Sequence, residues 1–318
     1  MIKIIIVEEL SKPVRLDKYL KKEIKDISRE KIIHCIKDGK IRIEGKNKIK
    51  PSHILRGGEK ILLEISDFLN LIKKPFLIKP QSVSPEPEIL YEDENLLIID
   101  KPSGIIVHPT VNNIIKPSIA SWFLQKYPFV FDVGEDRLRP GIAHRLDKET
   151  SGVLILVKNN LVFDYLKNLF KARKIKKKYI ALVRGEIKKQ QGTIDLPLIR
   201  SKKSPIKRKV VIKKDKGKSA LTNYKVLKQY QGYTLLEICP ETGRTHQIRV
   251  HLASIGFPVV GDKIYGKFKK PERLNLSRHF LHAQEISFIS FNEKPLKIHS
   301  SLPKDLDKIL QQLEPKID

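Results

Sequence analysis

The chain has 318 residues, 40% hydrophobic and 31% charged, a balance that excludes a disordered polymer and leaves room for two domains. Its 63 Lys and Arg against 36 Asp and Glu give a formal net charge of +27, which points to a polyanionic partner, nucleic acid first among them. Two distant cysteines, Cys35 and Cys239, encode neither a disulfide framework nor a zinc site, and no apolar run approaches the ~18 residues of a membrane span or a signal sequence.

In chain order, a small module is expected over residues 12 to 66. Leu16, Tyr19 and Leu20 fall at helical i, i+3, i+4 spacing. Ser28 suits the N-cap of a second helix whose apolar side is Ile32, Ile33 and Ile36 and which Gly39 ends. Short strands are expected at residues 41 to 43 and 60 to 65, with Gly45 and Gly57-Gly58 at turns. Two short helices and a few strands make an adaptor rather than an enzyme. Through Arg15-Leu16-Asp17-Lys18-Tyr19-Leu20, Ser28-Arg29, Gly39-Lys40-Ile41-Arg42-Ile43 and Gly57-Gly58-Glu59-Lys60-Ile61, this stretch resembles the small RNA-binding module named after the fourth small-subunit ribosomal protein. The resemblance implies that Arg15, Arg29, Lys31 and Lys37 lie against structured RNA.

Residues 67 to 87 carry Pro75, Pro80, Pro85 and Pro87 among polar side chains, which neither a continuous helix nor a central strand tolerates, so a linker is expected. A larger domain then runs from 88 to 318. The apolar run 96 to 100 predicts a strand that enters the turn Lys101-Pro102-Ser103-Gly104. Residues 163 to 172 predict a helix with Tyr165, Leu166, Leu169 and Phe170 as its buried stripe. Further strands are expected at 153 to 157, 179 to 183, 218 to 227 and 233 to 239. The fold class is therefore α+β, with a mostly antiparallel mixed sheet flanked by helices and loops behind the small N-terminal α/β module. Two basic clusters, Lys167 to Lys178 and Lys202 to Lys218, suit phosphate contacts through counterion release.

Three segments carry chemistry. His144-Arg145-Leu146-Asp147-Lys148-Glu149-Thr150-Ser151-Gly152 sets an acid between cations at the foot of the buried run Val153 to Val157. Asp-x-x-Thr-Ser-Gly fits ordinary turn chemistry and a working carboxylate alike. Tyr179 follows Lys176-Lys177-Lys178 at a strand start. In an RNA-binding chain such an aromatic is a stacking platform for a base taken out of its helix, although a strand-starting Tyr is more often core. Thr242-Gly243-Arg244-Thr245-His246-Gln247-Ile248-Arg249-Val250-His251-Leu252 opens a helix from which Arg249 can reach a buried carboxylate. A guanidinium paired with Asp147 would hold that acid ionised. His246 and His251 lack the Glu of a His-Glu-x-x-His zinc pattern, so no metal is expected, and no phosphate loop or dinucleotide fingerprint is present.

In this order, and behind the Lys101-Pro102-Ser103-Gly104 turn, these segments resemble the ribosomal large-subunit pseudouridine synthases of the family labelled A. Val107-His108-Pro109 and Gly261-Asp262 to Tyr265-Gly266 fit the same branch. The resemblance spans residues 88 to 300. It implies Asp147 as the catalytic aspartate, Tyr179 as the aromatic on the target uracil, Arg249 as the ion-pair partner of Asp147, and Arg145 as the probe that holds the extruded nucleotide. It implies large-subunit ribosomal RNA as partner and no cofactor. A cytoplasmic monomer is expected. Two other readings use the same residues: a non-catalytic RNA-binding assembly factor, and a glycosidase, which normally wants a second acid about 5–9 Å away.

Overall fold

The computed structural model describes residues 2–24, 29–46, 48–64, 78–109, 116–201, 204, 206–211, 217–266 and 274–316. The chain divides into two compact units, Met1–Leu77 and Ile78–Asp318.

The first unit contains β1 (Ile2–Ile6), β2 (Val14–Arg15), α1 (Leu16–Glu23), α2 (Arg29–Lys37), β3 (Ile41–Ile43), β4 (Ile54–Leu55) and β5 (Lys60–Glu64). Strands β1, β5 and β3 form an antiparallel sheet in that order, and β2 pairs with β4. Leu16, Leu20 and Ile32 from the helices meet Ile41, Leu55, Ile61 and Leu63 from the strands, all fully buried. Full burial of such side chains stabilises by roughly 1.5–3 kcal/mol each, which is how helices this short persist. The unit is larger than the expected 12 to 66, because Ile2–Ile6 pairs residue for residue with Lys60–Glu64 as an edge strand. Gly39, at φ +72°, ends α2 as expected, whereas the proposed Ser28 cap lies outside the described residues.

The second unit contains β6 (Glu88–Glu92), β7 (Leu96–Lys101), α3 (Ile119–Lys126), a 3-10 turn at Pro128–Asp132, β8 (Ser151–Val157), α4 (Asn160–Lys171), β9 (Lys176–Arg184), β10 (Gln191–Asp195), β11 (Leu198–Arg200), β12 (Arg208–Val210), β13 (Leu221–Tyr230), β14 (Tyr233–Pro240), α5 (Gln247–Ser254), β15 (Leu281–Ile289), β16 (Pro295–His299) and α6 (Lys304–Gln311). A nine-stranded sheet runs β10-β13-β14-β9-β15-β8-β7-β6, with β16 also on β15. Its named pairings are antiparallel except β15 with β8. The α+β class with a mostly antiparallel mixed sheet is therefore the fold observed.

Several boundaries differ from the sequence reading, among them β8 and β9, which start earlier, and β13, which starts later; three have a clear local reason. The expected linker 67 to 87 is shortened at its far end, since Ile78 and Val83 are buried in the second unit's core; residues 67 to 77 lie outside the described ones. Helix α4 starts earlier because the Asn159 side chain accepts from the Val162 amide, at 2.9 Å, and caps it. Strand β13 runs on to Tyr230, opposite Tyr233, because Gly232 at φ +77° closes a two-residue hairpin turn. Among the described residues no helix is long and apolar enough to cross a membrane.

Candidate active site

Strand β8 is buried along its whole length and lies between β7 and β15, so its first residues are fixed in space. Gly152, at φ +116°, allows the close parallel approach: a Cβ there would stand 2.2 Å from the Ala283 carbonyl oxygen of β15. The loop that enters β8 is anchored through its own backbone. The Lys101 ammonium, fully buried, donates to the carbonyls of Pro102, Ile105 and Lys148, at 2.7, 3.0 and 3.2 Å. The Gly104 amide also donates to Lys148 O, and the Ser103 hydroxyl to Glu149 O. Behind the loop, Thr150 Oγ1 and His279 Nε2 are 2.8 Å apart, and Ser151 Oγ accepts from Arg278 Nη1, whose guanidinium grips Asp305 of α6.

Asp147 therefore sits on a loop with little backbone freedom. The Thr150 amide donates to Asp147 O, so the segment is the turn that its composition suggested. Its side chain does something else. Asp147 Oδ2 accepts from Arg249 Nη1 of α5 at 3.0 Å, while the other side of that guanidinium binds Asp262 through both oxygens, at 2.7 and 2.9 Å. Arg249 and Asp262 are buried, and Asp147 is 15% exposed, into a cavity of about 550 Å³. Burial pushes the Asp147 carboxyl up, but His246, Arg249 and His279 outweigh it and hold the acid below its ordinary value. Asp262 is lowered by Arg249 and by the amides of Ile264 and Tyr265, again against burial. The two carboxylates occupy two edges of one guanidinium.

Tyr179 on β9 lines the same cavity, opposite Ala283 of β15, the residue that packs on Gly152. Burial first and the Asp147 charge second raise its phenol, which stays protonated. His144, beside the acid in sequence, does not face it as a base. Its Nε2 accepts from the Ile155 amide at 2.9 Å, its ring lies 5.0 Å from that of Phe170, and burial pushes it down to about 3. Arg145 is exposed at the cavity, with Nη1 3.1 Å from His108 Nε2. Arg139, Lys171, Arg173, Lys177 and Arg244 line the cavity with Arg145, and Glu241 is the other acid in the lining, so the carboxylate stands in a predominantly cationic cavity.

The structure thus brings Asp147, Arg249, Tyr179 and Arg145 to one cavity. The other sequence candidates are in the first unit. Arg15 and Arg29 both bind the fully buried Asp17, with closest contacts of 3.1 and 2.6 Å, and keep 41% and 45% of their side chains exposed. Lys37 is exposed on α2; the Lys31 side chain lies outside the described residues. His251 bonds Thr222 Oγ1 and Leu196 O, which makes it structural. Much of the second basic cluster, including Lys202, Lys203, Lys213, Lys214 and Lys216, lies outside the described residues.

Sequence reasoning did not find the roles of Asp262, Tyr265 and His108. Tyr265 places its ring 5.4 Å from the Arg249 guanidinium carbon, while its hydroxyl accepts from the Arg208 amide and bonds His246 Nδ1 at 3.0 Å. Asp262 closes a local turn, since its Oδ1 takes the amides of Ile264 and Tyr265. That turn chemistry does not say which guanidinium completes the carboxylate.

Known proteins are similar to this chain in sequence and fold. The family described as RNA pseudouridylate synthase matches residues 95–254, from β7 through α5. An RNA pseudouridine synthase of Aquifex aeolicus is 41% identical over 79% of this chain and 77% of its own length. The ribosomal large subunit pseudouridine synthase C of Buchnera aphidicola is 38% identical over 92% of this chain and 90% of its own. Human RNA pseudouridylate synthase domain containing 1 shares the fold, with a TM-score of 0.59 at 24% identity over 74% of this chain and 91% of that one. With Asp147, Tyr179 and Arg249 converging inside the matched segment, the chain belongs to the RNA pseudouridine synthases, isomerases that act on uridine in RNA.

Proposed function

We propose that the chain converts specific uridines of large-subunit ribosomal RNA to pseudouridine, with Asp147 as the catalytic carboxylate. The observation that carries this reading is the ion pair of Asp147 with the buried Arg249, in a cavity lined mainly by cations. The choice of RNA rests on the relatives named as large-subunit synthases, 35% and 38% identical over more than nine-tenths of this chain.

The reaction detaches uracil from the ribose at ring nitrogen 1, turns it, and rejoins it through ring carbon 5, whose proton is lost while nitrogen 1 ends protonated. Atoms and electrons balance within the nucleoside, so the step needs no oxidant and no energy source. Asp147 takes a proton from the ribose as the bond to nitrogen 1 breaks and returns it to the same carbon as ring carbon 5 closes on the sugar, so that no carbanion is left on the ribose. Arg249 keeps that oxygen ionised and fixes its direction. Tyr179 offers its ring face to the extruded uracil, for stacking worth roughly 1–3 kcal/mol per base. Arg145 holds the nucleotide outside the helix. In the first unit, Arg15, Arg29, Lys31 and Lys37 grip structured RNA through its phosphates. The enzyme works as a cytoplasmic monomer.

The test is tritium release from large-subunit transcript labelled at uracil carbon 5, with wild type and Asp147→Asn in parallel. Release by the wild type alone is expected. Equal release by both removes Asp147 from the chemistry, and binding without release by either favours an assembly factor.

A further inference from the structure

His108 lies beyond the Lys101 to Gly104 turn, on no helix or strand, half-buried beside the cavity. Its two ring nitrogens have different partners. Nδ1 is 3.0 Å from the Pro109 carbonyl oxygen, and Nε2 is 3.1 Å from Arg145 Nη1. A carbonyl only accepts and a guanidinium only donates. Both contacts are satisfied together by a single form of the ring, neutral with its proton on Nδ1 and its lone pair on Nε2 facing Arg145.

We propose that His108 is a positioning residue that, as this neutral tautomer, aims the Arg145 guanidinium across the mouth of the Asp147 cavity toward the extruded nucleotide. The proposal rests on the role given to Arg145 above. Arg145 stands two residues before Asp147 and is exposed, so nothing about its position on the loop fixes a long side chain with several free torsions. An acceptor supplied by a half-buried ring, itself anchored to the backbone, gives it one direction.

The charges around the ring suit this form. Burial, then the Arg145 and Arg139 guanidiniums, hold His108 below the ordinary histidine range, against the opposing pull of the Pro109 carbonyl and of Asp136. Asp136 is itself paired with Arg139 at 3.1 Å. Protonation at Nε2 would turn an N–H toward a guanidinium and set two cations against each other. Arg145 is therefore held above the His108 pKa and released below it.

The experiment measures kcat/KM for tritium release against pH in the wild type, His108→Asn, His108→Gln, Arg145→Ala and the double variant His108→Asn with Arg145→Ala. Asn keeps an N–H for the Pro109 carbonyl but brings no acceptor to Arg145, and a loss of about tenfold is expected. Gln carries an amide oxygen to the place of Nε2 and recovers most of that loss. The wild type should show an acid limb below about pH 6.5 that His108→Gln lacks. In the Arg145→Ala background, His108→Asn should cost nothing further. Equal losses in Asn and Gln, an undiminished loss without Arg145, or no loss at all would each overturn the proposal.

Nitrogen NMR of the free protein separates this inference from the choice of substrate. A neutral ring protonated on Nδ1, with an Nε2 shift that moves in Arg145→Ala, is expected. A ring protonated on Nε2 would overturn the proposal, even if the transcript is the right substrate. A wild type that releases no tritium while showing the expected tautomer overturns the substrate reading alone.

Discussion

Each unit of the molecule builds a cluster of three charged side chains, and the two are opposite in sign. In the first unit a single buried acid, Asp17, holds two half-exposed guanidiniums, Arg15 and Arg29. In the second a single buried guanidinium, Arg249, holds two acids, Asp262 fully buried and Asp147 open to the cavity. The same contact chemistry leaves a surplus cation at one surface and a surplus carboxylate at the other. The first suits a grip on phosphates. The second suits work on a sugar or a base. What separates an anchor for binding from a reactive group is which member of the cluster stays reachable from solvent.

The sharpest way to break the comparison is Asp147→Asn, which keeps shape and removes the surplus charge. Tritium release should fall by about 10⁴-fold while RNA affinity and the unfolding midpoint stay near those of the wild type. Next comes Asp262→Ala, which strips the buried Arg249 of its bidentate partner. A stability loss of about 3 kcal/mol is expected from denaturant unfolding, together with loss of activity.

Asp17→Ala tests the other cluster. Its partners are half in water, so the expected loss is smaller, about 2 kcal/mol. It should appear as weaker RNA binding with kcat at saturating RNA unchanged; an equal fall in kcat would erase the distinction between the two clusters. The same acid makes a pH prediction. Burial raises Asp17 and its two arginines lower it further, so its folded pKa lies below its unfolded one. Its stabilisation is present above the unfolded value, near 3.9, and is lost as pH falls through the folded value. The wild-type unfolding midpoint should therefore drop in strong acid, and Asp17→Asn should lack that contribution. The smallest effect is expected of Tyr265→Phe, which keeps the ring on Arg249 but removes the hydroxyl shared by His246 and the Arg208 amide. About 1 kcal/mol, read as less than a tenfold change in kcat/KM, is the expected cost.

Much of the fold and the heart of the site were legible in the sequence. Continuous apolar runs announced β7 and β8, but of the stripe expected for α4 only Leu166 is buried; Tyr165, Leu169 and Phe170 are half-buried, and Val162 and Phe163 complete the buried face. Asp147 stood out at the foot of a buried run, Tyr179 behind three lysines at a strand start, and Arg249 on a donor-rich helix start. Asp147 and Tyr179 also had ordinary structural readings, and it was the family resemblance that joined the three into one site. Asp262, Tyr265 and His108 were harder, because each also satisfies a local turn or loop and its partner is far along the chain. Asp262 meets Arg249 across 13 residues, and His108 meets Arg145 across 37. The edge strand β1 was missed because a short apolar run, Ile4 to Val7, does not announce its partner, which here is β5.

Strand β15 lies between β8 and β9 in the sheet, yet is made long after both. As the chain emerges from its own ribosome, β8, which follows the Asp147 loop, and β9, which carries Tyr179, are synthesised with a one-strand gap between them. The catalytic loop and its aromatic partner acquire their final spacing only when residues 281 to 283 fill that gap, and Arg278 finds Asp305 later still. Such late, long-range closure is slow compared with local folding. A nascent copy would therefore stay inactive until the residues through Asp305 had been made.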